Sequence, residues 1–220
     1  MRIRKIKKSV PKVQIKRDLE KYVRLAEKLG ATDARILQTD EVFLDYRATY
    51  KCAVPKCYLY NASANCPPNA PSFERTVELM KCFRFAILVS TKGPPSMVVA
   101  KSKEKEKASY LDPEIIAGRR KMNDIVCTLE ARAFYDGYYF ATAFAGGNCK
   151  ALFCADAPCQ ALEPGKPCRF PLRARPTMEA VGIDVYRTVT NAGWDIYPVG
   201  SQCRAEDVPF GRKAGLVLIC

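Results

Sequence analysis

Seven of the eleven cysteines in this sequence fall into two groups whose spacing could hold metal. The downstream group has the pattern C-x4-C-x4-C-x8-C, and the shorter upstream group has the pattern C-x4-C-x8-C. The candidate ligands are Cys149, Cys154, Cys159 and Cys168 downstream, and Cys52, Cys57 and Cys66 upstream. Thiolates are soft ligands, and dense groups of them bind zinc, copper(I) or iron–sulfur clusters. The spacing therefore predicts two metal-binding loops.

The gaps between these cysteines favour iron–sulfur clusters over single zinc ions. Zinc holds its four sulfurs at about 2.3 Å in a tight tetrahedron and is commonly bound by Cys-x2-Cys pairs. Neither group contains such a pair. A four-iron cubane is bulkier, so its ligating sulfurs stand farther apart and wider gaps suit it, although spacings in iron–sulfur proteins vary. We expect a 4Fe-4S cluster at each group, with zinc as the alternative metal.

The upstream group supplies three thiols, which leaves one corner of a cubane without a cysteine. A distant thiol could fill that corner, and the candidates are Cys82 and Cys203. The other option is an open iron that binds water or substrate, as catalytic metals keep a vacant position. We favour the open or non-cysteine position. Cys127 lies in an apolar helical pattern and is interpreted as a core residue, because free cysteine packs like a small hydrophobe.

The pair Gly146-Gly147 directly precedes the downstream group. Glycines let backbone N–H groups approach anionic sulfides, which would shift the reduction potential of a cluster and shield it. A plain turn at the end of a strand explains the pair equally well.

The composition excludes several classes of site and of location. The sequence has no histidine, so it contains no Cys/His zinc finger, Rieske centre, Ser-His-Asp triad or His-held catalytic zinc. No apolar run approaches the roughly 20 residues that span a bilayer, and the basic start lacks the apolar core of a signal peptide. We therefore expect a cytoplasmic protein. In that reducing compartment eleven cysteines indicate metal ligands rather than disulfides.

The formal net charge of +13 indicates an acidic partner. An RNA, a phosphorylated or other anionic small molecule, or an acidic redox partner protein would each be attracted to such a chain, although a merely solvated basic surface has the same composition. No interaction with a membrane is expected. Residues 1–15 carry several of the cations, alternating with Ile and Val. They are interpreted as a basic N-terminal arm or an edge strand.

The hydrophobic pattern predicts an α/β fold, with a small mixed sheet flanked by helices and two cysteine-rich metal-binding loops at its strand ends. The arm is followed by a single α/β domain over 16–220, with cluster loops at 52–68 and 146–170. Predicted helices lie at 17–29, 73–81, 114–136, 176–182 and 184–192. Predicted strands lie at 34–37, 42–46, 84–90, 138–144 and 216–219. Ser72, Asp112 and Asp184 are expected helix caps, and 92–112 a solvated loop or lid.

A run of arginines follows the last downstream cysteine and ends at the predicted helix start at Pro176. Backbone donors at a helix start favour an anion, so Arg169, Arg173 and Arg175 could recognise a carboxylate or a phosphate. The simpler interpretation is an i,i+4 helix pair between Arg175 and Glu179.

Three segments together carry a resemblance that covers most of residues 18–197. They read LGATDARIL, then KCAVPKCYLYNASANCPP, then GNCKALFCADAPCQALEPGKPCRFPLRARPTMEAVGIDV. The chain resembles a family of predicted metal-binding proteins common in anaerobic bacteria and archaea. The resemblance implies two metal-binding loops, iron–sulfur in character, with both cysteine groups as ligands. It implies no substrate, and Cys82 lies outside the family's cysteine pattern.

Three functions remain open at this stage. The first is an electron-transfer or redox-accessory protein in which two clusters pass electrons to an enzyme or complex. The second is a redox or sulfur-handling enzyme that uses an open iron on the three-cysteine cluster. The third is a zinc-dependent RNA-binding module, in which aromatic residues such as Tyr58 and Tyr60 stack on bases. The missing Cys-x2-Cys pairs and the lack of a recognisable RNA-binding motif argue against the third.

Overall fold

The structure is a computed structural model, and it describes residues 3–95, 98, 113–199 and 203–220. Within these residues there are six α-helices: α1 Lys12–Lys28, α2 Tyr46–Ala53, α3 Phe73–Lys81, α4 Pro113–Tyr135, α5 Cys149–Phe153 and α6 Val185–Asn191. The strands are β1 Asp33–Gln38, β2 Phe85–Gly93, β3 Thr142–Phe144 and β4 Gly211–Leu218. Short 3₁₀ helices occur at Thr39–Glu41, Gln160–Leu162, Glu179–Val181 and Ala205–Asp207. None of the described helices is long and apolar enough to cross a membrane.

The four strands form one sheet in the order β1-β2-β4-β3, and all three pairings are antiparallel. The register aligns Ile36 with Ile87, Ile87 with Val217, and Val217 with Ala143. These four side chains therefore form one apolar row across the sheet. The predicted α/β class is confirmed. The mixed strand directions expected from the sequence are not found in this sheet. Among the described residues, parallel pairing is limited to an isolated bridge between Ala145 and Thr177.

Both faces of the central strands are covered. Because side chains alternate along a strand, Val217 and its neighbours on one face pack under α1 and α4, whereas Leu216 and its neighbours pack on the opposite side. The second face is covered by the segment that includes Met178, Val181 and Ile183, all of them fully buried. This second layer joins the two cysteine loops to the sheet.

Several predicted elements differ from the observed ones. Residues 42–46 form no strand, because the Asp45 side chain caps α2 by accepting from the backbone N–H of Arg47, and Leu44 makes only an isolated bridge to Ile183. The predicted strand at 138–144 is reduced to β3, and the predicted helix at 176–182 to the 3₁₀ helix at 179–181.

The other helix and strand predictions are confirmed, although α1 and β4 each begin five residues earlier than predicted. Residues 12–15, which were assigned to the N-terminal arm or edge strand, are therefore helical. The caps at Ser72 and Asp184 are also confirmed, since their side chains accept from the backbone N–H groups of Arg75 and Arg187. The Asp112 cap lies outside the described residues, as does most of the predicted loop at 92–112.

The N-terminal segment is held against the helices by a buried ion pair. Arg4 donates to the Asp18 carboxylate of α1 at 2.7 Å, its backbone N–H donates to the carbonyl of Tyr135, and the Tyr138 hydroxyl donates to Asp18 at 3.0 Å. Asp18 is only 1% exposed. Burial alone raises the pKa of this carboxyl, but the hydrogen bonds from Arg4, Gln14 and Tyr138 outweigh burial and lower it.

The Arg4→Met substitution tests this contact. It removes a charge-assisted hydrogen bond, so the free energy of unfolding should fall by about 1.5–3 kcal/mol at neutral pH. Lys5→Met, a change at the neighbouring exposed lysine, should leave it nearly unchanged. Because the folded pKa of Asp18 lies below its ordinary value of 3.8, the contribution is present above that pH and is lost as the pH falls through the folded pKa. Denaturant melts at several pH values measure the free energy of unfolding of each variant. A loss of stability in Arg4→Met that does not depend on pH would contradict the contact between Arg4 and Asp18.

Candidate metal centre

The upstream cysteines are gathered by a helix end and the turns that follow it. Cys52 lies in the last turn of α2, and its carbonyl accepts from the backbone N–H of Cys57 at 3.0 Å. Cys66 lies farther along the loop and is buried, with its carbonyl accepting from the N–H groups of Asn69 and Ala70. The stretch 52–68 was predicted as a loop, but its first cysteine belongs to the helix α2.

Electrostatics place these thiols near one another and near a carboxylate. Burial, together with the negative charges of Cys57, Glu179 and Cys66, raises the pKa of the Cys52 thiol to about 11. Glu179 is close because α2 packs against the 3₁₀ helix at 179–181. A bound cation would instead favour the deprotonated form of this thiol, since metals bind the thiolate and release the proton.

The downstream cysteines are carried on short helical turns. The Asn148 side chain caps α5 by accepting from two backbone N–H groups, and Cys149 is the first residue of that helix. Cys154 ends α5, and Cys159 precedes the 3₁₀ helix at 160–162. The Cys168 sulfur accepts from a nearby backbone N–H, that of Phe170, at 3.3 Å.

All four downstream thiols line one cavity of about 280 Å³. Its wall also includes the aromatic rings of Phe153 and Phe170, which lie 5.5 Å apart, and the segment Ser63–Asn65 from the upstream loop. The shared wall shows that the two loops meet at this cavity.

The contact between the two loops is reciprocal. Each loop contains an Asn-Cys pair, Asn65-Cys66 upstream and Asn148-Cys149 downstream. The Asn65 amide donates to the Cys149 sulfur at 3.3 Å, and the Asn148 amide donates to the Cys66 sulfur at 2.7 Å. The Ser63 hydroxyl lies 3.9 Å from the Cys149 sulfur. Each asparagine therefore supports a cysteine of the other group.

Burial and the nearby thiols Cys66 and Cys159 raise the pKa of the Cys149 thiol, while its hydrogen bonds with Asn65 and Ser63 act in the opposite direction. A donor such as the Asn65 amide stabilises the thiolate, which is the form that binds metal. Neither asparagine was predicted as a site residue. The repeated Asn-Cys pair is a sequence signal that could have identified both.

The remaining cysteines lie in other surroundings. Cys82 is exposed at the end of α3 and lines a different cavity, of about 530 Å³, together with Cys220. Cys127 is buried among core residues of α4, as predicted, and donates to the carbonyl of Arg173 at 3.4 Å. Cys203 donates to the carbonyl of Arg204 at 3.4 Å. Among the described residues, no group of three or more His, Cys, Asp or Glu is placed to hold one metal ion.

Two glycines near the cysteine loops, one of them from the predicted Gly146-Gly147 pair, are required by packing. A Cβ atom on Gly146 would overlap the carbonyl oxygen of Ala214, so this glycine lets the chain pass close to β4. Gly182 has φ +89° and a Cβ there would overlap the Phe73 ring, so it lets the turn at 179–182 pack against α3.

The arginines that follow the last cysteine have partners within the protein. Arg173 pairs with Asp124 at 2.6 Å, and Arg175 donates to Glu130 at 2.9 Å rather than to Glu179. The expected helix pair does not form because the chain makes only a 3₁₀ turn at 179–181. Arg169 donates to the carbonyl of Pro158 at 2.6 Å. These contacts tie the end of the downstream loop to α4 and to itself.

The chain is an α/β scaffold on which two groups of thiols meet. This fold and site define its class of protein as a candidate thiolate metal-binding protein. The chain belongs to a family described as predicted metal-binding proteins (DUF2284), whose profile matches residues 35–218. The match confirms the resemblance to a predicted metal-binding family and spans both cysteine groups. The iron–sulfur character, the two metal-binding loops and the anaerobic source stay predictions. No curated protein and no solved structure matches the chain.

Single substitutions at the cysteines test which thiols hold metal. We expect Cys57→Ala and Cys154→Ala each to lower the metal retained per chain by half or more, since each removes one ligand from one group. Mass spectrometry of metals on anaerobically purified protein gives this value.

The controls are Cys127→Ala, in the core of α4, and Cys82→Ala, at the exposed end of α3. Both should retain the full metal content. A full metal content in Cys57→Ala and Cys154→Ala would remove the two groups as ligands, and a loss in Cys82→Ala would make that thiol the fourth upstream ligand.

Proposed function

We propose that the chain is an iron–sulfur protein that holds two 4Fe-4S clusters and acts as an electron-transfer or redox-accessory protein. Cys149, Cys154, Cys159 and Cys168 would hold one cluster, and Cys52, Cys57 and Cys66 the other. The observation that carries the proposal is the reciprocal Asn-Cys contact, because it brings the two thiol groups to one junction. Two adjacent clusters would be suited to passing single electrons to a partner.

The downstream group fits such a cofactor. Four thiols surround one cavity of about 280 Å³ instead of converging on a point, and neither group has the Cys-x2-Cys pairs of compact zinc sites. Phe153 and Phe170 on the cavity wall would restrict water, and the hydrophobic shell around a metal site influences its redox potential.

The upstream group supplies three thiols, and the environment of Cys52 favours a cation. Burial and neighbouring negative groups keep this thiol protonated in the metal-free protein. A bound group with a positive core would offset the electrostatic cost of deprotonating this thiol. The fourth position of the upstream cluster would be filled by a non-cysteine group or would stay open.

The asparagines would adjust the reduction potential. Reduction adds negative charge to a cluster and its thiolates, and an N–H donor to sulfur stabilises that charge. Asn65 and Asn148 would therefore raise the potentials of the two sites together.

The partner is proposed to be an acidic redox protein or enzyme complex, because the formal charge of +13 favours association with a negative surface. A cytoplasmic location in an anaerobe is part of the same proposal, since reducing and oxygen-poor conditions preserve thiolates and clusters.

A second candidate is a redox or sulfur-handling enzyme. It is favoured by the three-cysteine composition of the upstream group, which would leave a position for substrate. The two functions differ in whether an added small molecule changes the spectrum of one iron.

In the zinc-dependent RNA-binding alternative, the same thiols would hold zinc and the basic charge would contact phosphates.

Anaerobic purification with analysis of iron and acid-labile sulfide tests the proposal. Two 4Fe-4S clusters require about eight iron and eight sulfide per chain and give a brown protein. Colourless protein that contains zinc would support the zinc-dependent alternative. Colourless protein without metal would overturn all three functions.

The Asn148→Asp variant tests the role of the junction. Asp keeps the oxygen that caps α5 but loses the N–H donor to Cys66 and adds a negative charge. The reduction potential should therefore fall. If the reduced state loses about 1.4 kcal/mol of stabilisation relative to the oxidised state, the potential falls by about 60 mV for a one-electron reduction. Potentiometric titration followed by electron paramagnetic resonance measures the shift.

The matched control is Asn191→Asp, which adds the same charge at the exposed end of α6. Its potential should equal that of the wild type. Spin–spin interaction between the two reduced sites is also expected in the wild type. Isolated signals together with unchanged potentials in Asn148→Asp would contradict the junction.

A further inference from the structure

The cavity that Cys82 and Cys220 line, of about 530 Å³, lies outside the candidate metal centre. None of the thiols of the two cysteine groups is part of its wall. Four segments form that wall: the N-terminal stretch 7–10, residues 79–83 at the end of α3, the stretch 137–142 and residues 219–220. A volume of this size is typical of pockets that hold small organic molecules.

The inner part of this cavity is apolar and aromatic. Phe83, Tyr138 and Ile219 are buried residues of its wall. The Tyr138 hydroxyl already donates to Asp18, which leaves the ring as apolar surface. Burial raises the pKa of the Cys220 thiol to about 11, so this side chain is uncharged at neutral pH. The inner wall therefore suits the apolar part of a ligand.

Two further aromatic side chains line the cavity but are exposed to solvent. Phe140 is 72% exposed and Tyr139 is 46% exposed. The centroids of their rings lie 4.5 Å apart. Large apolar side chains that are exposed together beside a cavity mark a binding surface. A flat aromatic ligand would cover both rings, because aromatic groups pack in stacked or edge-to-face pairs.

The charged side chains at this cavity are both positive. Lys7 and Lys8 line it and are exposed, and no acidic side chain is among the lining residues. Neither lysine forms an ion pair in the part of the chain that the structure describes. A negative group on a ligand would therefore meet two ammonium groups that have no carboxylate partner.

The segment that carries these lysines is held on both sides by contacts with the rest of the fold. Arg4, which precedes them, pairs with the buried Asp18. Val10, which follows them, packs against the core under α1 and α4. Lys7 and Lys8 lie between these two anchors, so the fold keeps them at the cavity.

We propose that this cavity binds a flat aromatic molecule that carries a negative group. Its rings would pack on Tyr139 and Phe140, and its negative group would lie at Lys7 and Lys8. A simple inorganic anion lacks the rings, and a neutral hydrocarbon lacks the charge, so each would use only half of the site. The inference goes beyond the proposed function, because none of the residues that it uses belongs to the candidate metal centre.

A fluorescence titration of the full chain with anilinonaphthalene sulfonate tests the proposal, because this probe combines aromatic rings with one negative group. The wild type should bind it more tightly than phenylnaphthylamine, which has the same rings without the charge. Phe140→Ala should weaken the binding of both probes about threefold, the effect expected from the loss of one aromatic contact. The matched control is Leu172→Ala, at a residue of the downstream loop that is 81% exposed, and it should bind both probes like the wild type.

The double variant Lys7→Gln/Lys8→Gln separates the contribution of charge from that of apolar area. It should lose the preference for the sulfonate and bind both probes with similar affinity. The matched control is Lys16→Gln/Lys28→Gln, which removes two exposed lysines from α1 and should keep the preference. Low ionic strength is used because salt screens such interactions, and thermal melts show whether each variant is folded.

Alkylation of the wild type shows where the probe binds. Cys82 is exposed and lines the cavity, so saturating sulfonate probe should slow its reaction with iodoacetamide several-fold. Cys203, which does not line the cavity, should react at an unchanged rate, and mass spectrometry of peptides gives both rates. Absence of probe binding, an unprotected Cys82, wild-type affinity in folded Phe140→Ala, or a sulfonate preference that survives in the folded Lys7→Gln/Lys8→Gln variant would each overturn the site.

Discussion

The antiparallel pairing of β2 with β4 is the constraint on which the rest of the structure depends. It joins residues 85–93 to residues 211–218, so the last strand of the chain completes the centre of the sheet. Both strands are buried on both faces, and each face must therefore be covered. The helices α1 and α4 cover one face, and the segment around Met178–Ile183 covers the other.

This second layer explains where the cysteine loops lie. α2, which ends at Cys52, packs against the 3₁₀ helix at 179–181, and β3 leads through Gly146 along β4 into the downstream loop. The loops themselves bury few large apolar side chains; Leu152 is one of them. Their order is supported by capping, by the reciprocal Asn-Cys contacts and by ion pairs to α4. The free energy of metal binding would add to this support, because ligand sites that are scattered in the unfolded chain are brought together only on folding.

The sequence by itself determined the local features. The apolar periodicity of α1 and α4, the caps at Ser72 and Asp184 and the core position of Cys127 depend on neighbouring residues, so they could be predicted. The grouping of the seven thiols into two stretches of the chain is also a sequence property, whereas metal binding by these thiols is still a prediction. Strand predictions for short apolar stretches were less reliable, as residues 42–46 and 138–144 illustrate. Tertiary contacts decide whether such a stretch pairs with another strand.

Only the tertiary structure decided which groups meet across the chain. The strand directions, the contact of Asn65 with Cys149 and of Asn148 with Cys66, and the pairing of Arg175 with Glu130 all join residues far apart in sequence. No local pattern encodes these distances. They arise because the antiparallel sheet joins distant segments and both of its faces are covered, which brings the loops that follow these segments together.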